Sequence, residues 1–229
     1  MYAPQQFIDG VYLLINKPKG WTSFDVIAKI RGPLQRFTSN RKLKIGHTGT
    51  LDPMATGLLV IATGKFTKTI NELQELDKEY SGTIMLGSIT PSYDAETPVS
   101  KTFDISGITE EAIRAAVINL TGEIQQVPPV YSSIKVDGMR SYKKAREGEE
   151  VILKARTLTI YKFEIIEIKI PEIKFRIASS KGTYIRSIAH DLGQALGCGG
   201  YLTELTRWKV GQFDLAYATT IEEFLQTIN

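Results

Sequence analysis

The alternation of hydrophobic and polar residues predicts the first elements of the chain. The apolar run from Val11 to Ile15 predicts a short strand. Thr22 and Asp25 have the spacing of a capping box, and the helix that they begin is expected to run to about Arg31. Thr109 is the expected N-cap of a second helix because two glutamates follow it. The apolar face of that helix would consist of Ile113, Ala116, Val117 and Leu120.

A hairpin and two later helices are predicted in the second half of the chain. Apolar and charged residues alternate on both sides of positions 171–172, which indicates two antiparallel strands with one face in the core. Apolar residues then recur at helical spacing over Ile185–Leu196, Gly197 is the expected stop, and Thr220 precedes a last short helix. The core face of the hairpin would carry Ile166, Ile168, Ile170, Ile173, Phe175 and Ile177.

Composition narrows the class of protein. The 229 residues are 42% hydrophobic and 23% charged, as in ordinary globular proteins. The longest apolar stretch, around Gly57 to Ala62, is too short to cross a bilayer, and the N terminus has no secretory signal pattern, so a cytoplasmic location is expected. The single cysteine, Cys198, excludes an internal disulfide. Because the chain has only two histidines besides this cysteine, no metal site is expected.

Positive charge is concentrated in two segments, although the net charge of +3 is only mildly basic. Six basic residues and no acidic ones lie between Val26 and Leu51. Five more lie between Lys135 and Arg146, against Asp137 alone. Both segments could contact phosphates, and a solvated basic surface is the alternative.

The segment Lys44–Leu58 is the strongest candidate for chemistry because it combines three glycines, His47 and Asp52. Glycines permit a close approach of other groups to the backbone, and Pro53 holds the preceding aspartate extended, which can fix the direction of its carboxylate. A plain turn is the alternative, since Asp-Pro and Gly-rich segments occur in many loops.

This loop resembles the catalytic motif of the TruB family of pseudouridine synthases, and the other family motifs follow in the family's order. They are Asn16–Ser23 with the pattern KPxGxTS, Lys78–Gly82, Gln125–Gly148, Lys181–Arg186 and Leu205–Arg207. The resemblance covers roughly residues 8 to 220. The sequence departs from the family at Thr90-Pro-Ser-Tyr-Asp94, where members usually have a second Asp and a Thr.

The resemblance implies an α+β fold with a large, mostly antiparallel sheet flanked by helices and loops. We expect a single catalytic domain over residues 1–229, with an RNA-gripping insertion at about 125–152 and no C-terminal PUA domain. The implied activity is the isomerisation of uridine to pseudouridine at position 55 in the T-loop of tRNA. It would need no cofactor, and the expected state is a monomer.

The resemblance also implies roles for individual residues. Asp52 would be the nucleophile, Arg186 its counter-ion, and Tyr80 would stack on the uracil and assist proton removal. His47 would enter the base stack that the flipped uridine leaves. Further substrate contacts are expected from Tyr184, Leu205, Lys17, Lys68 and Arg146.

Ordinary structural roles are the alternatives for these residues. Arg186 would otherwise be a surface helix charge, and His47 would otherwise stabilise the glycine loop. The remaining alternatives are core packing for Tyr184 and Leu205 and local salt bridges for Lys17 and Lys68. For the whole chain, the competing functions are an RNA-folding chaperone without catalysis and a pseudouridine synthase of another family acting on rRNA.

Overall fold

The computed structural model describes residues 2–132, 134–136, 138–147, 149 and 151–228. Its helices are α1 (Pro4–Asp9), α2 (Ser23–Phe37), α3 (Ile70–Gln74), α4 (Glu110–Asn119), α5 (Ser141–Arg146), α6 (Ile185–Ala195) and α7 (Ile221–Gln226). Two 3-10 helices span Gly64–Thr69 and Leu215–Tyr217.

The strands range in length from two residues to the fourteen of β10. They are β1 (Tyr12–Lys17), β2 (Ile45–His47), β3 (Thr56–Thr63), β4 (Lys78–Leu86), β5 (Ser88–Ile89), β6 (Lys101–Thr102), β7 (Gly122–Gln126), β8 (Lys135–Val136), β9 (Met139–Arg140), β10 (Arg156–Lys169), β11 (Glu172–Ser179), β12 (Gly200–Val210) and β13 (Phe213–Asp214).

Most of the strands belong to one sheet. Its order is β1-β3-β12-β4-β11-β10-β7, with β2 paired to β3 and β13 paired to β12. The pairs β1-β3, β2-β3, β7-β10 and β10-β11 are antiparallel, whereas β3 and β12 are parallel. The predicted α+β class with a large, mostly antiparallel sheet is therefore confirmed.

Contacts divide the chain into two compact units, the first of which contains Tyr80 and everything before it together with Leu205 and everything after it. In this unit the predicted capping box is confirmed, because the Thr22 hydroxyl accepts from Asp25 N and the Asp25 carboxylate accepts from Thr22 N. Helix α2 continues beyond the expected end because Leu34 is fully buried and anchors its last turns. The core consists of residues such as Phe7, Ile15, Ile30, Leu59, Ile61 and Phe224.

The second unit comprises Ser81–Glu204 and contains the predicted hairpin. On β11 the expected core face is confirmed, since Ile173, Phe175 and Ile177 are buried. Ile170, just beyond the end of β10, is 40% exposed, and Ile168 is only partly buried. On β10 itself the expectation is wrong for Ile166, which is 61% exposed. The cause is irregular pairing, because the register shifts between Ile160 and Lys162 and again between Ile165 and Glu167. The buried positions of β10 are Leu158, Ile160 and Phe163.

The capped helices form as predicted. Thr109 accepts from Ala112 N at the start of α4, and Thr220 accepts from Glu223 N at the start of α7. Helix α6 stops where expected, with Gly197 at φ 69° just beyond its end. In the described ranges, no helix is both long enough and apolar enough to cross a membrane. The single domain and the insertion at about 125–152 remain predictions.

Candidate active site

Contacts from the N-terminal motif hold the backbone on both sides of Asp52. Leu51 N donates to the buried Ser23 hydroxyl at 2.8 Å, and that hydroxyl donates to Leu51 O at 3.3 Å. On the other side, Gly20 N donates to Pro53 O at 2.7 Å. The half-buried Asp52 therefore lies in a loop whose course is set by residues about thirty positions earlier.

Lys17 takes part in the same arrangement. Its side chain is fully buried, and its ammonium donates to Pro18 O at 2.9 Å, Trp21 O at 2.6 Å and Pro53 O at 3.4 Å. A buried cation is costly unless such acceptors surround it. Lys17 therefore stabilises the loop that carries Asp52, and its expected contact with substrate remains a prediction.

Arg207 is the central cation of the first unit. It is only 1% exposed, and its guanidinium donates from Nε to Leu58 O at 2.8 Å and from Nη2 to Gly49 O at 3.1 Å. Burial lowers the pKa of Arg207, whereas its hydrogen bond with the Tyr80 side chain and the charge of Asp52 oppose that shift. Arg207 thus interacts electrostatically with the expected nucleophile and directly with the expected stacking residue.

The sequence pattern did not predict that Arg207 belongs to the site, although the family motif Leu205–Arg207 ends on this residue. The available signal was the arginine itself in a strand rich in apolar residues. The sequence could not show that backbone carbonyls of the glycine loop, Lys44–Leu58, would accept hydrogen bonds from Arg207.

His47 lies at the end of β2 and is half-buried. Burial lowers the pKa of its imidazole, and the positive charge of Arg207 lowers it further, whereas a backbone hydrogen bond with Gly49 acts in the opposite direction. Its Nδ1 is buried and has no hydrogen-bond partner among the described residues. His47 is therefore a neutral, planar ring at neutral pH.

The other predicted residues of the first unit lie in different environments. Tyr80 on β4 is 8% exposed and Leu205 on β12 is 7% exposed, so both side chains are buried in the core. Lys68 in the 3-10 helix is exposed. Arg207 therefore interacts electrostatically with His47 and Asp52 and forms a hydrogen bond with Tyr80. Lys68 lies on the surface.

Lys68 belongs to a basic surface, which we define by its exposed cations. Two adjoining hollows of about 400 and 290 Å³ share Lys42, Leu43, Lys44 and Thr67 in their walls. Of the described carboxylates, only Asp9 pairs with a cation of this surface, namely Lys65 at 2.8 Å. The cations of the basic surface are Arg31, Arg41, Lys42, Lys44, Lys65 and Lys68.

Arg186 lies in the first turn of α6 and is 4% exposed. Its Nη1 donates to Ser92 O at 3.1 Å, and its Nε lies 3.4 Å from Asp94 Oδ2. It is therefore a buried, paired cation rather than a surface helix charge. Its pairing with Asp52 remains a prediction.

Tyr184 and Arg146 also belong to the second unit. Tyr184 precedes α6, where its N donates to Gln126 Oε1 at 2.9 Å and its O accepts from Gln126 Nε2 at 3.1 Å. Its ring is half-buried. The predicted contact from Arg146 falls on a side chain that lies outside the described residues. No group of three or more possible metal ligands occurs among the residues described.

Family comparisons agree with these motifs. Residues 36–185 match the family model described as the N-terminal domain of TruB family pseudouridylate synthase. Residues 186–229 match the model of the tRNA pseudouridylate synthase B C-terminal domain. The chain therefore belongs to the TruB family of pseudouridine synthases.

Individual relatives and solved structures support the same assignment. A protein named tRNA pseudouridine synthase B from Flavobacterium johnsoniae is 49% identical over 228 residues, covering 98% of this chain and 100% of the relative. Its namesake in Chlorobaculum tepidum is 49% identical, with coverages of 96% and 91%. The structure titled "Crystal Structure of a Cbf5-Nop10-Gar1 Complex" contains a similar chain, with a TM-score of 0.73 and 28% identity. The match covers 99% of this chain but only 56% of that one.

Proposed function

We propose that the protein isomerises uridine to pseudouridine at position 55 in the T-loop of tRNA, with Asp52 as the nucleophile. The name of its relatives, tRNA pseudouridine synthase B, supports tRNA as the substrate. The assignment of Asp52 as nucleophile is supported by the hydrogen bonds that fix its loop and by its electrostatic interaction with the buried Arg207.

The reaction requires an ionised carboxylate in a protected site. The bond between N1 and C1′ breaks, the uracil turns, and a bond forms between C5 and C1′, so C5 loses a proton and N1 gains one. Asp52 attacks either C1′ of the sugar or C6 of the base. Arg207, and Arg186 as the expected counter-ion, supply positive charge near the carboxylate of Asp52. The balance involves no redox change and no net hydrolysis.

Access to the uridine requires base flipping, which costs roughly a few kcal/mol in unstacking. The neutral ring of His47 suits insertion into the vacated stack, because an uncharged aromatic surface replaces the lost base contacts. Tyr80 stacks on the flipped uracil and assists proton removal, while Tyr184 and Leu205 complete the pocket. Lys17, Lys68 and Arg146 are the proposed further contacts to the RNA.

The test uses Asp52→Asn with a T-arm stem-loop RNA and a chemical label specific for pseudouridine. We expect unchanged melting temperature and RNA affinity but no labelled product, since the amide cannot act as the nucleophile. Asp214→Asn is the matched control, because Asn can still accept from Ala216 N as Asp214 does. Turnover by Asp52→Asn at the wild-type rate would exclude Asp52 as nucleophile. Product at another uridine would exclude position 55.

A further inference from the structure

Tyr93 has an unusual backbone conformation between two residues that hold Arg186. Its φ is 63°, in the left-handed region that side chains other than Asn, Asp and Gly rarely adopt. The carbonyl of the residue before it, Ser92, accepts a hydrogen bond from Arg186 Nη1, and the carboxylate of the residue after it, Asp94, forms an ion pair with Arg186 Nε. The turn at Tyr93 thus directs both acceptors toward one guanidinium.

A ring stack holds Tyr93 in this turn. The Tyr93 and His190 rings lie 3.9 Å apart between centroids with an angle of 11° between their planes. His190 follows Arg186 by one turn on α6, so Tyr93 packs on the helix that presents the arginine. Burial lowers the pKa of His190, which keeps the stacked imidazole neutral. The segment is therefore attached to α6 at two points, the ion pair and the stack.

The acceptors themselves are held tightly. Asp94 Oδ1 accepts from Ser92 Oγ at 2.5 Å and from Glu96 N at 2.9 Å, and Asp94 is fully buried. Thr90 Oγ1 also donates to Asp94 O at 2.7 Å. These bonds fix the shape of the loop, and Leu202 N donates to Tyr93 O at 3.0 Å, which ties the loop to β12. The stack of Tyr93 on His190 adds an apolar contact with α6.

We propose that the Tyr93–His190 stack is a positioning device that aligns Arg186 for the isomerisation. This inference rests on the proposed function, in which Arg186 acts near the reacting uridine. The Tyr93 position falls within the segment where this chain departs from the usual family pattern, and His190 supplies its partner. Neither residue is proposed to touch the substrate, and both act through Ser92 and Asp94 on the arginine.

The decisive variants separate the ring from the backbone strain. Tyr93→Gly removes the ring but suits a positive φ, so the loop is not strained and the protein is expected to fold. Tyr93→Phe keeps the ring and loses only the hydroxyl. His190→Ala removes the partner ring. Tyr161→Ala is the matched control, because Tyr161 is a 55% exposed tyrosine of the same unit.

We expect Tyr93→Gly and His190→Ala each to lower kcat on tRNA by about 10-fold to 100-fold with KM nearly unchanged, since a misplaced group costs rate more than binding. Tyr93→Phe and Tyr161→Ala should stay within about twofold of wild type. The double variant Tyr93→Gly/His190→Ala should lose no more than the worse single variant, because both remove one contact.

Three outcomes would overturn the proposal. They are a wild-type kcat for Tyr93→Gly, losses that multiply in the double variant, and a loss of kcat that disappears when each variant is assayed equally far below its own melting temperature. The comparison with Asp52→Asn separates this inference from the proposed function. If Asp52→Asn turns over normally, the proposed function fails. If it is inactive while Tyr93→Gly has a normal kcat, only the positioning role fails.

Discussion

Asp191, the residue after His190, is an ionisable side chain in an environment that disfavours its charge. Burial raises the pKa of its carboxyl from 3.8 to about 6. The folded protein therefore binds more protons than the unfolded chain between these values, and the contribution of Asp191 to stability is present at low pH and is lost as the pH rises through about 6.

Asp191→Asn should therefore stabilise the protein at pH above 6 and have little effect near pH 4. We expect a gain of about 1 kcal/mol in the free energy of unfolding at pH 8, after allowance for partial solvent screening. Urea unfolding at pH 5 and pH 8 measures it, and the gain should be larger at pH 8. Asp104→Asn is the control, because hydrogen bonds from Ser106 lower the pKa of exposed Asp104, so no gain is expected. Equal effects of Asp191→Asn at both pH values would contradict this account.

The pairing of β3 with β12 depends on one glycine. Gly57 has φ 101°, and a Cβ built on it would lie 2.4 Å from Arg207 O and 2.8 Å from Arg207 N. These are backbone atoms of the paired strand, so they cannot move aside without separating the two strands. The same strand segment carries the guanidinium that reaches the glycine loop.

Gly57→Ala should consequently lower both stability and activity. The left-handed backbone alone costs roughly 1–2 kcal/mol for a residue with a side chain, and the contact with β12 adds to this. Gly122→Ala is the matched control, since Gly122 has φ 92° but no atom within 4 Å of its built Cβ. Thermal unfolding should show a clearly larger loss for Gly57→Ala than for Gly122→Ala. Similar losses would mean that the close approach of β12 contributes nothing.

At the scale of the whole molecule, the basic surface is the feature that bears most directly on RNA binding. Apart from the Lys65–Asp9 pair, its cations have no carboxylate partner among the described residues. Unpaired exposed cations bind phosphates and release counterions, which makes affinity depend on salt. Of its six cations, Arg31, Arg41, Lys42 and Lys44 precede β2 and His47 in the chain.

Lys42→Gln and Lys44→Gln should raise KM for tRNA without changing kcat. Each lost phosphate contact should reduce the slope of log affinity against log salt by about 1. Lys162→Gln is the control, because Lys162 is exposed but paired with Glu164 at 2.7 Å. Binding measured over a range of salt concentrations tests this. An unchanged slope for both variants would show that the basic surface does not contact the RNA.

The sequence by itself determined the features that depend on neighbours along the chain. The caps at Thr22, Thr109 and Thr220, the stop at Gly197 and the motif around Asp52 were all readable, because capping bonds and helical periodicity involve residues only a few positions apart. The family and the sheet class followed from the order of the motifs.

Only the tertiary structure decided which groups surround the buried charges. Arg207 donates to Leu58 O across 149 positions, and Lys17 donates to Pro53 O across 36, so no local pattern marks either contact. The exposure of Ile166 depends on how β10 pairs with β11, and the Tyr93–His190 stack depends on where α6 packs. The acceptors of a buried polar group come from segments that only the fold brings together. A β-bulge changes the face on which later side chains lie, and the sequence alternation does not show where a bulge occurs.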